Sequence, residues 1–172
     1  MLALALAGSP AAPAYALIEG VEIPAPVIPR LQALAEAYRA ATGQGLVITD
    51  GTRRPEVQAA LMLRNLERGD DIVRVYANRR AAQAVREAWD AARREHADRA
   101  AILGRITAVI RAQVAAGDYV SKHLREGAVD VRCIDMPAAA RSTFKKLARG
   151  LGIEVVDESR TATPHYHLNF VK

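Results

Sequence analysis

A set of histidines and one aspartate, on or just before two predicted strands, constrains this chain more than any other feature. The segment Ser121–Asp130 ends a long helical region and enters an apolar stretch, so His123 precedes a predicted strand and Asp130 lies on it. A later predicted strand carries His165 and His167, which point to the same side because strand residues alternate between faces. A carboxylate on an apolar strand is costly unless a cation balances it. Two nitrogens and one oxygen around an open position are typical of catalytic zinc, so the pattern predicts a metal centre.

The order of these residues resembles that of a known enzyme family. Ser-x-His-x6-Asp at Ser121–Asp130, followed by His-x-His at His165–His167, is similar to the zinc D,D-carboxypeptidases and endopeptidases that cleave peptidoglycan. That family shares its fold with the Hedgehog signalling domain. The segment Thr49–Gln58 is similar to the family's Gly-aromatic-Arg-Ser…Gln segment, and the resemblance runs from Leu46 to Phe170 with a poorly matching middle.

The resemblance implies a zinc metallopeptidase that hydrolyses the peptide stems of bacterial peptidoglycan. D-Ala-D-Ala carboxypeptidase activity is the leading form. Endopeptidase activity at L-Ala-D-Glu or at a crosslink, as in phage endolysins, is an alternative. A zinc-binding module that binds the cell wall without cleaving it is the non-enzymatic alternative.

The resemblance also implies the ligands of Zn²⁺, which are His123, Asp130 and His167. In that arrangement His165 lies beside the metal and contacts its water or the developing oxyanion. Some relatives use a Pro-His-Phe form, similar to Pro164–Tyr166, and this alternative makes His165 the third ligand instead of His167.

The expected general base is the point at which this sequence departs most from the family's pattern. The family places a Glu or Asp a few residues before the last ligand, and no acidic residue stands at those positions here. The nearest carboxylates are those of Asp157 and Glu158. Glu158 is therefore one candidate for proton transfer, provided that the chain brings it back to the metal, and His165 is the other.

An arginine in the first motif is the predicted anion-binding group. Arg53 has a planar, permanently charged guanidinium that suits a substrate carboxylate or an oxyanion. Arg54 is the competing candidate, and pairing of Arg53 with Glu56 at a helix entry is the structural alternative. Gln58 is expected to orient the arginine or to face the cleft, and Ser121 to form a hydrogen bond near the ligands.

Length and composition favour one α+β domain. The chain has 172 residues, of which 51% are hydrophobic, much of it alanine, and only 5% aromatic. We expect a small, mostly antiparallel sheet packed against helices, Hedgehog/DD-peptidase-like, with an extra helical insertion at about 78–116. Residues 29–172 are predicted to form the domain. Residues 1–28 are predicted to be a leader or an extended lead-in.

Charge and cysteine content narrow the partners and the compartment. The net charge of +5 permits attraction to anionic polymers, but the chain lacks a basic, aromatic-rich motif, so nucleic acid is not an expected partner. The single Cys133 excludes an internal disulfide. Ala14–Ala16 resembles a signal cleavage site, although no Lys or Arg precedes Arg30. The predictions are a periplasmic, envelope or secreted location, no membrane-spanning segment, and a monomer.

Overall fold

The computed structural model describes residues 14–125, 127–161 and 163–170. Within them the chain forms six α-helices, five strands and one short 3-10 turn. The helices are α1 (Ile28–Thr42), α2 (Pro55–Glu67), α3 (Ile72–Val75), α4 (Arg79–Arg94), α5 (Arg99–Ala115) and α6 (Ala138–Gly150). The strands are β1 (Tyr15–Leu17), β2 (Leu46–Asp50), β3 (Ala128–Arg132), β4 (Glu154–Glu158) and β5 (His165–Asn169), and the 3-10 turn is Lys122–Leu124.

The strands form a single mixed sheet in the order β1-β2-β3-β5-β4. Strand β1 runs parallel to β2, and the other neighbouring strands are antiparallel. The predicted α+β class is therefore confirmed. Strand β1 lies within the segment 1–28 that was predicted as a lead-in, and there it extends the sheet. Residues 1–13 of the predicted leader lie outside the described residues.

One face of the sheet is apolar and carries the helices α1 and α6. Because side chains alternate along β3 and β5, Val129, Val131, Tyr166 and Leu168 all point to this face. They form one buried cluster with residues of the two helices, and Phe144 of α6 stacks on Tyr166 with ring centroids 5.2 Å apart. We call this cluster the sheet core. The opposite face of the same strands is free to carry polar side chains.

A second buried cluster lies among the helices α2 to α5. It contains Leu63 of α2, Val85 of α4, and Ile106 and Ile110 of α5, and we call it the helical core. The insertion predicted at about 78–116 is helical and is divided near Asp98, whose side chain accepts a hydrogen bond from the backbone N–H of Ala101 and so begins α5.

Across the described ranges, no helix has the length and apolar character needed to cross a membrane.

Candidate metal centre

His123 is held in place at the 3-10 turn between the two cores. The Oγ of Ser121 accepts a hydrogen bond from the backbone N–H of His123 over 3.4 Å, and the His123 ring is buried. The Nδ1 atom lies 2.7 Å from the carbonyl oxygen of Gly51. A carbonyl oxygen only accepts, so Nδ1 carries the proton and donates it. The Nε2 atom faces Asp130, whose Oδ1 is 3.3 Å away.

Asp130 and His167 face each other across the sheet. They are direct partners in the antiparallel pair β3–β5, on the face opposite the sheet core. The Nδ1 atom of His167 lies 2.8 Å from Oδ1 of Asp130, and both side chains are buried. Strand register therefore sets this contact, and it joins residues that are distant in the chain.

These three side chains create a site for a cation. Nitrogen atoms of His123 and His167 both approach a carboxylate oxygen, and the ligand atoms of the three residues lie within 4.8 Å of one another. Burial of Asp130 acts to raise its pKa, but hydrogen bonds with His123 and His167 outweigh burial and hold the pKa well below its ordinary value. The carboxylate is thus charged, and a metal ion can balance it. The buried group could hold a metal ion, and the predicted ligands are the residues that the fold brings together.

His165 has a different environment from the other two histidines. Its Nδ1 lies 2.6 Å from the carbonyl oxygen of Thr163, and its Nε2 lies 3.1 Å from Oε2 of Glu158 and 3.5 Å from Oδ2 of Asp130. Chiefly through the hydrogen bond with Glu158, the pKa of His165 is raised to about 9. The same hydrogen bond lowers the pKa of Glu158. With acceptors at both nitrogens, His165 is an imidazolium paired with a carboxylate.

Glu158 reaches the site through strand pairing. It is the direct partner of His165 in the antiparallel pair β4–β5, as Val156 is of His167. The hairpin therefore compensates for the separation of Glu158 from His167 in the chain. The two predicted candidates for proton transfer lie beside each other at one edge of the metal group.

Arg53 lies at the cleft but is already paired. Its guanidinium donates to the carboxylate of Asp50 through Nε, over 2.7 Å, and through a second nitrogen, and to Oε1 of Gln58 over 3.0 Å. Its backbone N–H donates to the carbonyl of His123. Glu56, the alternative partner in the sequence prediction, pairs instead with Arg111.

A bulge in β2 explains how Asp50 reaches this position. Ile48 pairs with Val131, but Asp50 rather than Thr49 pairs with Asp130. The extra residue turns Asp50 to the polar face of the sheet, where a regular strand would have pointed it into the sheet core.

The cleft beside the metal group has a volume of about 430 Å³. Both regions of the molecule line it. The sheet side contributes Asp130, Val156, Glu158, His165 and His167, and the remaining wall is formed by Arg53, Val75, Tyr76, Ala77, Asn78, Tyr119, Val120, Ser121, Lys122 and His123. Gln58 does not line the cleft. It is fully buried behind it and donates to the hydroxyl of Tyr76 over 3.0 Å. Arg54 is exposed and lies outside this lining.

Sequence reasoning missed several supporting groups. Oδ1 of Asn169 lies 3.2 Å from Nε2 of His167 and accepts a hydrogen bond from it, and its place two residues further along the same strand face was a usable signal. The carbonyl of Gly51 and the carboxylate of Asp50 had no such signal, because a turn and a bulge set their positions. Tyr76 reaches the cleft only through the packing of α3.

Comparison of the chain with protein-family models, with curated proteins and with solved structures found no match. The geometry of the site is therefore the physical basis for a functional assignment. Its distinguishing features are a buried group that could hold a metal, an adjoining imidazolium–carboxylate pair, and an open cleft beside both.

Proposed function

We propose that this chain is a zinc-dependent peptidase that hydrolyses the peptide stems of bacterial peptidoglycan, acting outside the cytoplasm. One observation carries the proposal. The buried group His123, Asp130 and His167 adjoins the Glu158–His165 pair in a cleft large enough for a short peptide. The order of the sequence motifs, which is similar to that of the zinc D,D-peptidases, supports the substrate class.

The donor set suits zinc. Two imidazole nitrogens and one carboxylate oxygen are a common ligand set for catalytic Zn²⁺, with a fourth position left for water or substrate. His123 donates a hydrogen bond from its second ring nitrogen, Nδ1, to a backbone carbonyl, as metal-binding histidines usually do. A zinc ion held by His123, Asp130 and His167 would supply Lewis-acid polarisation of the scissile carbonyl and would lower the pKa of a water molecule.

The chain's own residues then handle the protons. The Glu158 carboxylate accepts a proton from the attacking water and passes it to the leaving amine, as a general base and then a general acid. The His165 imidazolium donates a hydrogen bond to the negative charge that develops on the carbonyl oxygen. Their 3.1 Å contact allows the proton to be shared between them during this transfer.

The position of the cleaved bond depends on whether Arg53 binds a substrate carboxylate or stays paired with Asp50. If Arg53 exchanges part of its pairing with Asp50 for a terminal carboxylate, the enzyme is a D-Ala-D-Ala carboxypeptidase, and this is the leading form. The existing Asp50–Arg53 pair favours the second form, an endopeptidase, because an internal peptide bond brings no terminal carboxylate to bind. In that form Arg53 orients Gln58 and Tyr76 along the wall of the cleft.

The test combines metal analysis with digestion of purified muropeptides. We expect about one zinc per chain, as for a single site, and release of free D-alanine from pentapeptide stems, followed by mass spectrometry. Internal cleavage products in place of D-alanine would identify the endopeptidase form. Glu158→Gln should retain zinc and lose about 100-fold or more in rate, the usual contribution of a general base.

A control histidine lies outside the residues that line the cleft. His96 is exposed between α4 and α5 and has a positive φ of 56°, so His96→Asn keeps a residue that tolerates this backbone. This variant should retain zinc and full activity. Absence of zinc from the folded wild-type chain, or unchanged hydrolysis in Glu158→Gln, would overturn the proposal.

A further inference from the structure

The second ring nitrogen of His167 is part of a short hydrogen-bonded relay. Its Nε2 lies 3.2 Å from Oδ1 of Asn169, and Nδ2 of Asn169 donates to Oε2 of Glu154 over 2.8 Å. The strand register places Glu154 directly opposite Asn169 in the pair β4–β5. Asn169 and His167 are buried, whereas Glu154 is at the exposed edge strand.

The carboxylate of Glu154 determines which way the Asn169 amide points. With the amide reversed, Oδ1 of Asn169 would face a carboxylate oxygen, and two acceptors would repel each other without a proton between them. The observed orientation leaves Oδ1 facing His167. An amide oxygen only accepts, so this contact requires a proton on Nε2 of His167. The Nδ1 atom lies 2.8 Å from Oδ1 of Asp130, and a metal ion bound by both atoms would replace the proton that otherwise lies between them.

We propose that Asn169 is a positioning residue, oriented by Glu154, that holds His167 in the tautomer whose Nδ1 binds the metal. The inference rests on the proposed metal site. Lys122 supports the outer end of the relay, since its Nζ lies 3.8 Å from Oε2 of Glu154. Because Lys122 directly precedes His123 in the chain, this contact also links the supports of the two histidine ligands.

The two histidine ligands are supported by different kinds of group. His123 donates Nδ1–H to the backbone carbonyl of Gly51, which no side-chain substitution removes. His167 depends on a side chain, so its support can be deleted without touching any ligand. A hydrogen-bond partner of a metal-binding histidine typically contributes about 10–100-fold in metal affinity.

The experiment measures zinc affinity by competition with a chromophoric chelator, using the full chain. We expect Asn169→Ala to weaken zinc binding by about 10–100-fold. Glu154→Ala should weaken it less. The double variant Asn169→Ala, Glu154→Ala should bind zinc no more weakly than Asn169→Ala alone, because Glu154 acts through Asn169. Asn65→Ala is the matched control: this asparagine lies on α2 in the helical region, and zinc affinity should not change.

A swapped pair provides rescue. In the double variant Asn169→Asp, Glu154→Gln, the amide donor and the carboxylate acceptor exchange places while the charge of the pair is kept. The new Asp carboxylate can still accept from Nε2 of His167, so affinity should return close to the wild-type value. The Nε2–H proton of His167 gives a direct readout by nitrogen-15 NMR of the zinc-loaded chain. It should be protected from exchange in the wild type and in the swapped variant, and lost in Asn169→Ala.

The outcomes separate this inference from the proposed function. Wild-type zinc affinity in Asn169→Ala, or an His167 resonance that Asn169→Ala leaves unchanged, overturns the relay alone. Zinc binding that depends on Asn169, without muropeptide hydrolysis, supports the relay and overturns the peptidase. A folded wild-type chain that binds no zinc overturns both.

Discussion

The sheet core and the helical core both bury large aliphatic side chains, but they join different parts of the chain. The helical core packs α2, α3, α4 and α5, which follow one another in sequence. The sheet core joins β2, β3 and β5 to α1 and α6, so its neighbours are far apart in sequence. The proposed ligands Asp130 and His167 lie on β3 and β5, which are paired with each other although they are far apart in sequence. The helical region supplies part of the cleft wall.

The two cores meet at the segment that carries His123. Val120 and Leu124 are buried in the helical core, while the ring of His123 between them points to the metal group on the sheet. The backbone of His123 also bonds to Arg53 at the start of α2. One ligand is therefore held by the helical core and two by the sheet, and the experiments below test how independent these regions are.

The largest expected effects come from truncating one fully buried aliphatic side chain in each core to alanine. Leu168 and Ile110 are both fully buried, and replacing either by Ala should lower the free energy of unfolding by about 2–5 kcal/mol. Because Leu168 lies between His167 and Asn169, Leu168→Ala should also weaken zinc binding, whereas Ile110→Ala should not. Urea unfolding and zinc titration measure the two quantities. Equal losses of zinc affinity in both variants would mean that the site depends on both cores alike.

Metal binding should stabilise both regions together. At a free zinc concentration of 100 times Kd, a site present only in the folded state adds about 2.7 kcal/mol to the free energy of unfolding. Trp89, the only tryptophan, lies between Arg86 and Arg93 and reports on the helical core, while circular dichroism reports on the whole chain. Since His123 connects the cores, chelation with EDTA should shift both urea transitions by the same amount. A shift seen by circular dichroism but not by Trp89 fluorescence would show that the cores unfold separately.

Replacing a glycine by alanine is expected to have opposite consequences in the two regions of the molecule. A Cβ at Gly51 would lie 2.1 Å from the carbonyl oxygen of Glu22, so Gly51→Ala must displace backbone. The displacement moves the carbonyl that orients His123, and zinc affinity should fall by about 10–100-fold. At Gly104, on the exposed side of α5, a Cβ meets nothing within 4 Å. Gly104→Ala should raise stability by about 0.5–1 kcal/mol without changing zinc affinity. Unaltered zinc binding in Gly51→Ala would argue against a role for this carbonyl.

The contrast between local and long-range contacts also explains which features the sequence could predict. The division of the insertion near Asp98 follows from a local capping residue, and the grouping of His123, Asp130 and His167 follows from motif order and strand alternation. Glu158 appeared too distant from His167 because distance along the chain ignores the pairing of β4 with β5. The pairing of Arg53 with Asp50 depends on a bulge, which no local pattern in β2 indicates. Long-range register, rather than residue type, was the missing information.

The smallest predicted effect tests an ion pair on the helix-covered side of the sheet. Asp157 on β4 accepts from Lys145 on α6 over 2.5 Å, and this hydrogen bond lowers the pKa of Asp157 to about 2. A carboxylate with a lowered folded-state pKa stabilises the protein above its unfolded pKa of about 3.9, and that contribution disappears as the pH falls toward 2. Both side chains are about 40% exposed, so the pair should contribute less than about 1 kcal/mol at neutral pH.

Asp157→Asn should therefore lower the free energy of unfolding slightly at pH 7, and the difference from wild type should shrink as acid is added. Zinc affinity should be unchanged, because Asp157 pairs with Tyr166 and so points away from the metal group. Urea unfolding at pH 7 and at progressively lower pH measures the difference. A gap between variant and wild type that widens in acid would mean that another carboxylate causes the effect. A change in zinc affinity would mean that the two faces of the sheet are coupled, and that the metal group depends on more of the sheet core than the residues beneath it.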